Sequence, residues 1–336
     1  MTAIGAFGLS VRDPALEADV QAGLAAVEEG LLEATKSEVP FLTNAAQHLL
    51  HAGGKRFRPL LVMLAAQFGD PYAPGVVPSA VVVELTHLAT LYHDDVMDEA
   101  AVRRGVPSAN SRWGNSVAVL TGDFLFARAS YILADLGLQA VRIQAEAFER
   151  LVTGQIMETA GPLDDRDPVE HYLDVISGKT GSLVAVSGRI GAVMAGADEA
   201  VVDVLAQYGE RLGVAFQLAD DVLDITSDEC ESGKTPGTDL REGIRTLPVL
   251  RLHERVKQYG LPEDIELAEL LDSDLTDKAR HAEALARMRR HPALEQARRD
   301  ALRYAEEARA TLAPLPCHSA KQALLELCDS VVHRAR

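Results

Sequence analysis

The chain has 336 residues, 47% hydrophobic and 25% charged, a globular composition that excludes a disordered or fibrous protein. With 33 Lys+Arg against 50 Asp+Glu the formal net charge is −17, which argues against a nucleic-acid binder and sets an average field that repels anions. Any phosphate ligand must therefore be captured locally, by clustered cations or by a divalent metal.

Alanine and leucine dominate, aromatic residues are 5%, and alternating β-branched patterns are scarce, so helices are expected throughout. The periodicity predicts them over about 14–35, 40–52, 58–68, 76–100, 115–134, 138–160, 168–195 and 198–227. Shorter ones follow over about 245–259, 264–271, 277–289, 292–312 and 318–333. Gly53-Gly54, Asp70-Pro71, Gly105-Val106-Pro107, Gly161-Pro162 and Ser232-Gly233 punctuate them. No linker rich in Gly, Ser or Pro divides the chain, which predicts one all-α domain over 1–336, with a core at about 40–250 and peripheral helices beyond about 260. MTAIGAFGLS lacks a secretory n-region, so a cytoplasmic location is expected. The apolar stretch Val76–Tyr92 is interrupted by Pro78, Glu84 and His87, so it reads as a buried core helix and not a membrane span. Cys230, Cys317 and Cys328 match neither a zinc spacing nor a disulfide framework.

HDDVMD at 93–98 recurs as ADDVLDI at 219–225, each at the end of an apolar helix. Asp94 and Asp98 share a helical face with Asp95 beside them, and Asp220, Asp221 and Asp224 repeat the spacing. Like charges so spaced oppose helix formation, and the C-terminal dipole adds to the cost. Two such placements point to a bound cation, and hard carboxylate oxygens suit Mg²⁺ bridged to phosphates. A third cluster, Asp164, Asp165 and Asp167, lies between Pro162 and Pro168 with no apolar helix leading in; it reads as a solvated loop.

Cations come in short groups beside glycines. Gly53-Gly54-Lys55-Arg56-Phe57-Arg58-Pro59 places three of them before a helix N-terminus, where free N–H groups also favour anions. Arg103 and Arg104 follow the first acidic cluster, Lys179-Thr180 lies in SGKTGS, and Lys234 in ESGKTPGTD. Neither GKT is a P-loop: the glycine required five positions before the final Gly-Lys is Leu173 or Asp228, and no strand leads in.

With GGKRFRP, HLATLYHDDVMDEAAVRRG, GKTGSL, FQLADDVLDI and GKTPGTDL-to-TLP in this order, the chain resembles the trans-isoprenyl diphosphate synthases of the polyprenyl synthetase family over about residues 40–250. The resemblance implies an all-α bundle around a deep cavity and a homodimer. It also implies a Mg²⁺-dependent head-to-tail condensation of isopentenyl diphosphate with an allylic diphosphate, with about three ions per site. By this resemblance Asp94 and Asp98 hold two ions and Asp220 a third, with Asp95, Asp221 and Asp224 in support. Arg103, Lys179, Thr180, Gln217 and Lys234 face the allylic diphosphate, and Arg103, Lys179 and Lys234 assist its departure. Lys55, Arg58, His87 and Arg104 take isopentenyl diphosphate. One departure stands out: where the family often has Gly-Lys before Thr-Leu-Pro, this chain has Gly243-Ile244-Arg245.

The residues that would set product length precede the first aspartate cluster. Ala89, Thr90, Thr86 and Val83 are small or medium, where short-chain members tend to carry an aromatic floor. A long product of the quinone side-chain type is therefore expected, with Phe124 and Phe126 as a deeper floor and hand-over of the product to a membrane. A C15–C20 synthase is the alternative. A class I terpene cyclase needs no GGKRFRP and normally mixes Asn, Ser and Glu into its second motif, and a regulatory subunit would carry eroded aspartates.

Overall fold

A computed structural model describes residues 13–162, 166–227 and 236–334. In chain order the elements are α1 (Pro14–Ala34), α2 (Pro40–His51), α3 (Phe57–Ala66), α4 (Val76–Met97), β1 (Val102–Arg103) and β2 (Val106–Pro107). Next come α5 (Ala109–Trp113), α6 (Asn115–Leu136), α7 (Leu138–Ala160), α8 (Pro168–Ile176), a π-helical turn (Ser177–Gly181), α9 (Ser182–Met194) and α10 (Glu199–Thr226). They are followed by α11 (Thr238–Arg241), α12 (Leu247–Tyr259), α13 (Pro262–Leu271), α14 (Lys278–Met288), α15 (Pro292–Thr311) and α16 (Ser319–Arg334). The chain gathers into two compact units: residues 1–149, 183–209 and 311–327 in the first, and 150–182, 210–310 and 328–336 in the second.

In the first unit, α3 is buried at every position from Pro59 to Ala66 and α4 from Ser79 to Thr86. Helices apolar on all sides belong in a core, which both sequences dictate. The hydroxyls that α4 carries inward are satisfied locally: Ser79 donates to the Val76 carbonyl at 2.8 Å and Thr86 to that of Val82 at 2.9 Å. α6 lies along α4. Among the described residues α6 alone is long and apolar enough to cross a membrane by length and composition. One face of it is buried, while Leu120 and Tyr131 stand exposed. Gly137 ends it with φ +94° and ψ 171°, a backbone conformation open essentially to glycine alone.

The second unit contains the charge-rich helices α12–α14. Their few buried acids are paired: Asp264 is hydrogen-bonded to His291 Nε2 at 2.9 Å, and Asp300 on α15 accepts from Arg251 Nε at 2.9 Å. Asp167 accepts from the N–H groups of Val169 and Glu170 and so caps α8, with Pro168 at the first helical position. It is a helix cap, not part of a free loop; Asp164 and Asp165 lie outside the described residues.

Three local features depart from the sequence reading. Helix 168–195 is interrupted by the π-turn. Helix α4 stops at Met97, with Asp98 as its C-cap. The stretch after it forms a two-strand hairpin pairing Val102 with Pro107 and Arg103 with Val106. Its turn residues Arg104 and Gly105 both have positive φ, +53° and +77°, as a two-residue type I′ turn requires. The turn thus fixes the direction of both hairpin arginines.

Candidate active site

One aspartate cluster lies in each unit. In the first, Asp94 and Asp98 occupy the last turn and cap of α4. Asp98 is exposed and Asp94 half-buried, whereas Asp95 is fully buried. Arg103 on β1 donates to Asp95 Oδ1 at 2.5 Å and lies 3.9 Å from Asp98, while Asp95 Oδ2 has no partner. Burial raises the Asp95 carboxyl above the ordinary value against the opposing pull of Arg103. The three acids therefore divide: Asp95 anchors the hairpin to the helix, and Asp94 and Asp98 share the face that can offer oxygens outward.

Upstream on the same unit sits a cluster of cations. Lys55 is exposed, and Arg58 and Arg104 are partly buried. Arg104 donates to the Leu49 carbonyl at 2.9 Å and to that of Gly53. Arg58 Nε is buried without a partner, and burial lowers its guanidinium to about 10, with Arg104 adding to the effect and Glu84 opposing it. His87, two helical turns before Asp94, is pushed well below the ordinary imidazole value by burial, then by Arg58 and Arg104. It is a neutral donor among positive charges, so it can bond an oxyanion without paying for its own ionisation. Four of the anticipated residues, Arg58, His87, Arg103 and Arg104, thus fall within electrostatic reach of one another.

In the second unit the cluster at the end of α10 also divides. Asp221 is buried; it accepts from Tyr172 Oη at 2.5 Å and from Gln217 Nε2 at 3.2 Å, and burial raises its carboxyl to about 6. Gln217 in turn accepts from Thr180 Oγ1 at 3.2 Å. The carboxylate of Asp224 accepts from the N–H groups of Thr238 and Asp239, at 3.2 Å each, and so stitches α11 to the helix end. Asp220, the third acid of this triad, is half-buried. Lys179, on the π-turn, reaches Glu158 Oε2 at 2.6 Å. Lys234 lies outside the described residues. Arg245 turns to Asp272 at 2.9 Å, so it is engaged away from the motif, with Ile244 exposed beside it.

A π-turn widens the helix by one residue and is a frequent device for presenting side chains at functional sites. Here a glycine pair makes it possible. A Cβ on Gly154 would lie 2.7 Å from the Lys179 nitrogen and 2.9 Å from the Val175 oxygen, and one on Gly178 would lie 2.9 Å from the Arg150 oxygen. Arg150 then grips Glu210 with two bonds of 2.9 and 2.5 Å, and Ser177 donates to the same carboxylate at 2.5 Å. Sequence reading missed Tyr172, Arg150, Ser177 and Glu210, because each acts through a partner distant in sequence. The Gly154–Gly178 pair was the only local trace of the close approach.

Val83, Thr86, Ala89 and Thr90 are all buried on α4. Thr86 Oγ1 also accepts from Gln144 Nε2 at 2.9 Å, a second tether the sequence did not reveal. Phe126 packs between His93 and Phe148, with ring centroids at 5.7 and 4.6 Å and the rings tilted. A cavity of about 750 Å³ lies toward the opposite end of α4, lined by Gly30, Val77, Val81, Ile132, Leu136 and Met194 among others.

Among the described residues no three His, Cys, Asp or Glu side chains gather into a ready-made metal cage. The outward carboxylates Asp94 and Asp98 still suit a hard cation that takes its other ligands from phosphate and water.

Comparison with known proteins assigns the family. The polyprenyl synthetase model matches residues 39–288. The nonaprenyl diphosphate synthase of Mycobacterium tuberculosis is 46% identical over 328 residues, covering 97% of each chain. A geranylgeranyl pyrophosphate synthase from Corynebacterium glutamicum, solved with calcium and isoprenyl diphosphate, superposes with a TM-score of 0.86 at 44% identity, covering 96% of this chain and 98% of that one. A decaprenyl diphosphate synthase from Rhodobacter capsulatus gives 0.86 at 36% identity, covering 96% and 98%. The chain therefore belongs to the polyprenyl synthetase family, a family of prenyltransferases.

Proposed function

We propose that this protein condenses isopentenyl diphosphate with an allylic diphosphate, head to tail, to give an all-trans polyprenyl diphosphate of long chain. The observation that carries the reading is α4 itself. One helix bears a neutral histidine among arginines and, two turns on, an outward aspartate pair, so one rigid element serves two diphosphates.

In this reading Asp94, Asp98 and Asp220 hold about three Mg²⁺ ions against the allylic diphosphate. Bound there, the metal supplies Lewis-acid stabilisation of the charge that develops on the leaving group. Arg103, Lys179, Thr180, Gln217 and Lys234 hold the same diphosphate and aid its departure. Lys55, Arg58, His87 and Arg104 grip isopentenyl diphosphate so that its double bond faces the allylic C1. The allylic C–O bond breaks with its electron pair leaving on diphosphate. The double bond attacks C1, forming the new C–C bond, and the proton lost in regenerating an alkene passes to the released diphosphate. No protein base is required, and the buried apolar faces of α3 and α4 exclude water from the cation.

Long-chain output is supported by the small residues Ala89, Thr90, Thr86 and Val83, by the apolar cavity beyond Val81, and by the nonaprenyl and decaprenyl synthases among the relatives. A C15–C20 product is the second reading, favoured by the geranylgeranyl synthase at 44% identity. We further propose one functional domain over the whole chain, a homodimer, cytoplasmic residence and delivery of the product to a membrane. The experiment is incubation of purified protein with Mg²⁺, labelled isopentenyl diphosphate and each allylic primer in turn, with product sizing. Products beyond C30 support the reading; accumulation at C15–C20 selects the second, and no incorporation with any primer overturns both.

A further inference from the structure

The basic segment 55–58, which runs into the first turn of α3, holds three cations, and one of them is gripped by two carboxylates. Arg56 is only 8% exposed. Its Nη1 donates to Glu84 Oε1 at 3.2 Å, its Nη2 to Glu28 Oε2 at 3.1 Å, and its Nε to Glu28 Oε1. Glu84 lies inside α4, 2% exposed, one turn before His87. A carboxylate so deep in an apolar helix persists only with a cationic partner, and Arg56 supplies it. The cost of reaching it is visible in the backbone: Arg56 caps α3 with φ at +51°, a conformation that side chains rarely adopt. Gly54 leaves room for it, since a Cβ there would lie 2.6 Å from Arg56 Nη1 and 3.1 Å from Arg104 Nη1.

We propose that Glu84 is a positioning residue for isopentenyl diphosphate: by holding Arg56 inward it fixes the segment 53–58 at the entry to α3, and so the placement of Lys55, Arg58 and Arg104 around His87. This rests on the assignment of those four residues to isopentenyl diphosphate. Glu84 also lies within electrostatic reach of Arg58 and Arg104 as well as Arg56, so one buried negative charge restrains three guanidinium groups that would otherwise repel each other. Arg56 is thereby removed from the set of cations available to substrate, although its sequence position is equivalent to that of its neighbours. Glu28, on α1 and 41% exposed, grips the same guanidinium from its other side.

The test is steady-state kinetics of Glu84→Gln, varying each substrate with the other saturating. The isopentenyl diphosphate KM should rise about tenfold, with kcat within threefold and the allylic KM within twofold of wild type. Gln retains the size and an acceptor but not the charge, so this split reads the restraint on the cations. Glu28→Gln, at a partly exposed position, keeps the question answerable if Glu84→Gln fails to fold; it should raise the same KM about threefold and leave the allylic KM unchanged. A wild-type KM for isopentenyl diphosphate in the folded variant, or an equal rise in both KM values, overturns the proposal. Failure of the wild-type protein to incorporate isopentenyl diphosphate overturns the functional reading beneath it instead.

Discussion

Gly154→Ala is a one-carbon change aimed at the π-turn. The added Cβ would sit 2.7 Å from the Lys179 nitrogen, 2.9 Å from the Val175 oxygen and 3.1 Å from the Gly178 carbonyl carbon. All three are backbone atoms, so no side chain can swing aside. Ordinary contact begins at 3.4 Å, and the turn carrying Lys179 and Thr180 must therefore retreat by about 0.7 Å or α7 must bend. Overpacking of this kind costs about 1–3 kcal/mol of stability. A displacement approaching 1 Å in a group that aligns a reacting phosphate lowers turnover by about 10- to 100-fold. The expected result is kcat/KM for the allylic substrate down by that factor, with a melting temperature lower by a few degrees and a native circular dichroism spectrum. A variant with lowered melting temperature but undiminished kcat/KM would refute the link between this turn and catalysis.

Asp94→Ala and Asp220→Ala should each cost about 100-fold or more in kcat at saturating Mg²⁺ while melting as wild type does; near-normal turnover removes that residue from metal binding. Ala89 lies about 7.5 Å of helix rise before Asp94, whereas Val81 at the cavity lies about 20 Å before it. Ala89→Phe should therefore shorten the products by two or more isoprene units with turnover retained, and an unchanged product ladder takes Ala89 off the tail path. His87 is held neutral in the folded chain, while the unfolded chain protonates it near the ordinary value of about 6.5. The unfolded state then binds the extra proton below that pH, so stability falls as pH drops, by up to about 1.4 kcal/mol per pH unit from this residue. His87→Gln should flatten that slope between pH 6.5 and 5 in denaturant titrations, and an unaltered slope would show that His87 is not held neutral.

The helices were legible because their apolar faces repeat at helical spacing over long runs, and α3 and α4 announced burial by being apolar on every side. The aspartate clusters were legible because two locally unfavourable repeats stand in one chain. What escaped was everything decided across distance. Nothing in HDDVMD tells Asp95 from Asp94; the difference is that Asp95 meets Arg103 from a hairpin whose turn depends on two positive φ angles. The same holds for Asp224, whose carboxylate is spent on the backbone of α11, and for Asp221, committed to Tyr172 forty-nine positions earlier. Arg56 and Arg58 look equivalent in GGKRFRP, yet Arg56 is bonded to Glu84 and Glu28 while Arg58 Nε is buried without a partner. The π-turn was invisible because periodicity continues through it.

Because His87 and Asp94 ride on a single uninterrupted helix, the spacing between them is a material constant, about 10 Å of rise that neither substrate can adjust. On the proposed assignment of the two diphosphates, such a rigid caliper would treat every cycle of elongation alike, however long the hydrocarbon behind the reacting carbon has become. On the same assignment, changing the chemistry's geometry would require inserting or deleting residues within Leu88–His93, whereas changing the product's length would require only a new side chain further back. Two properties of the catalyst are in this way separable for engineering, written on different stretches of one rod.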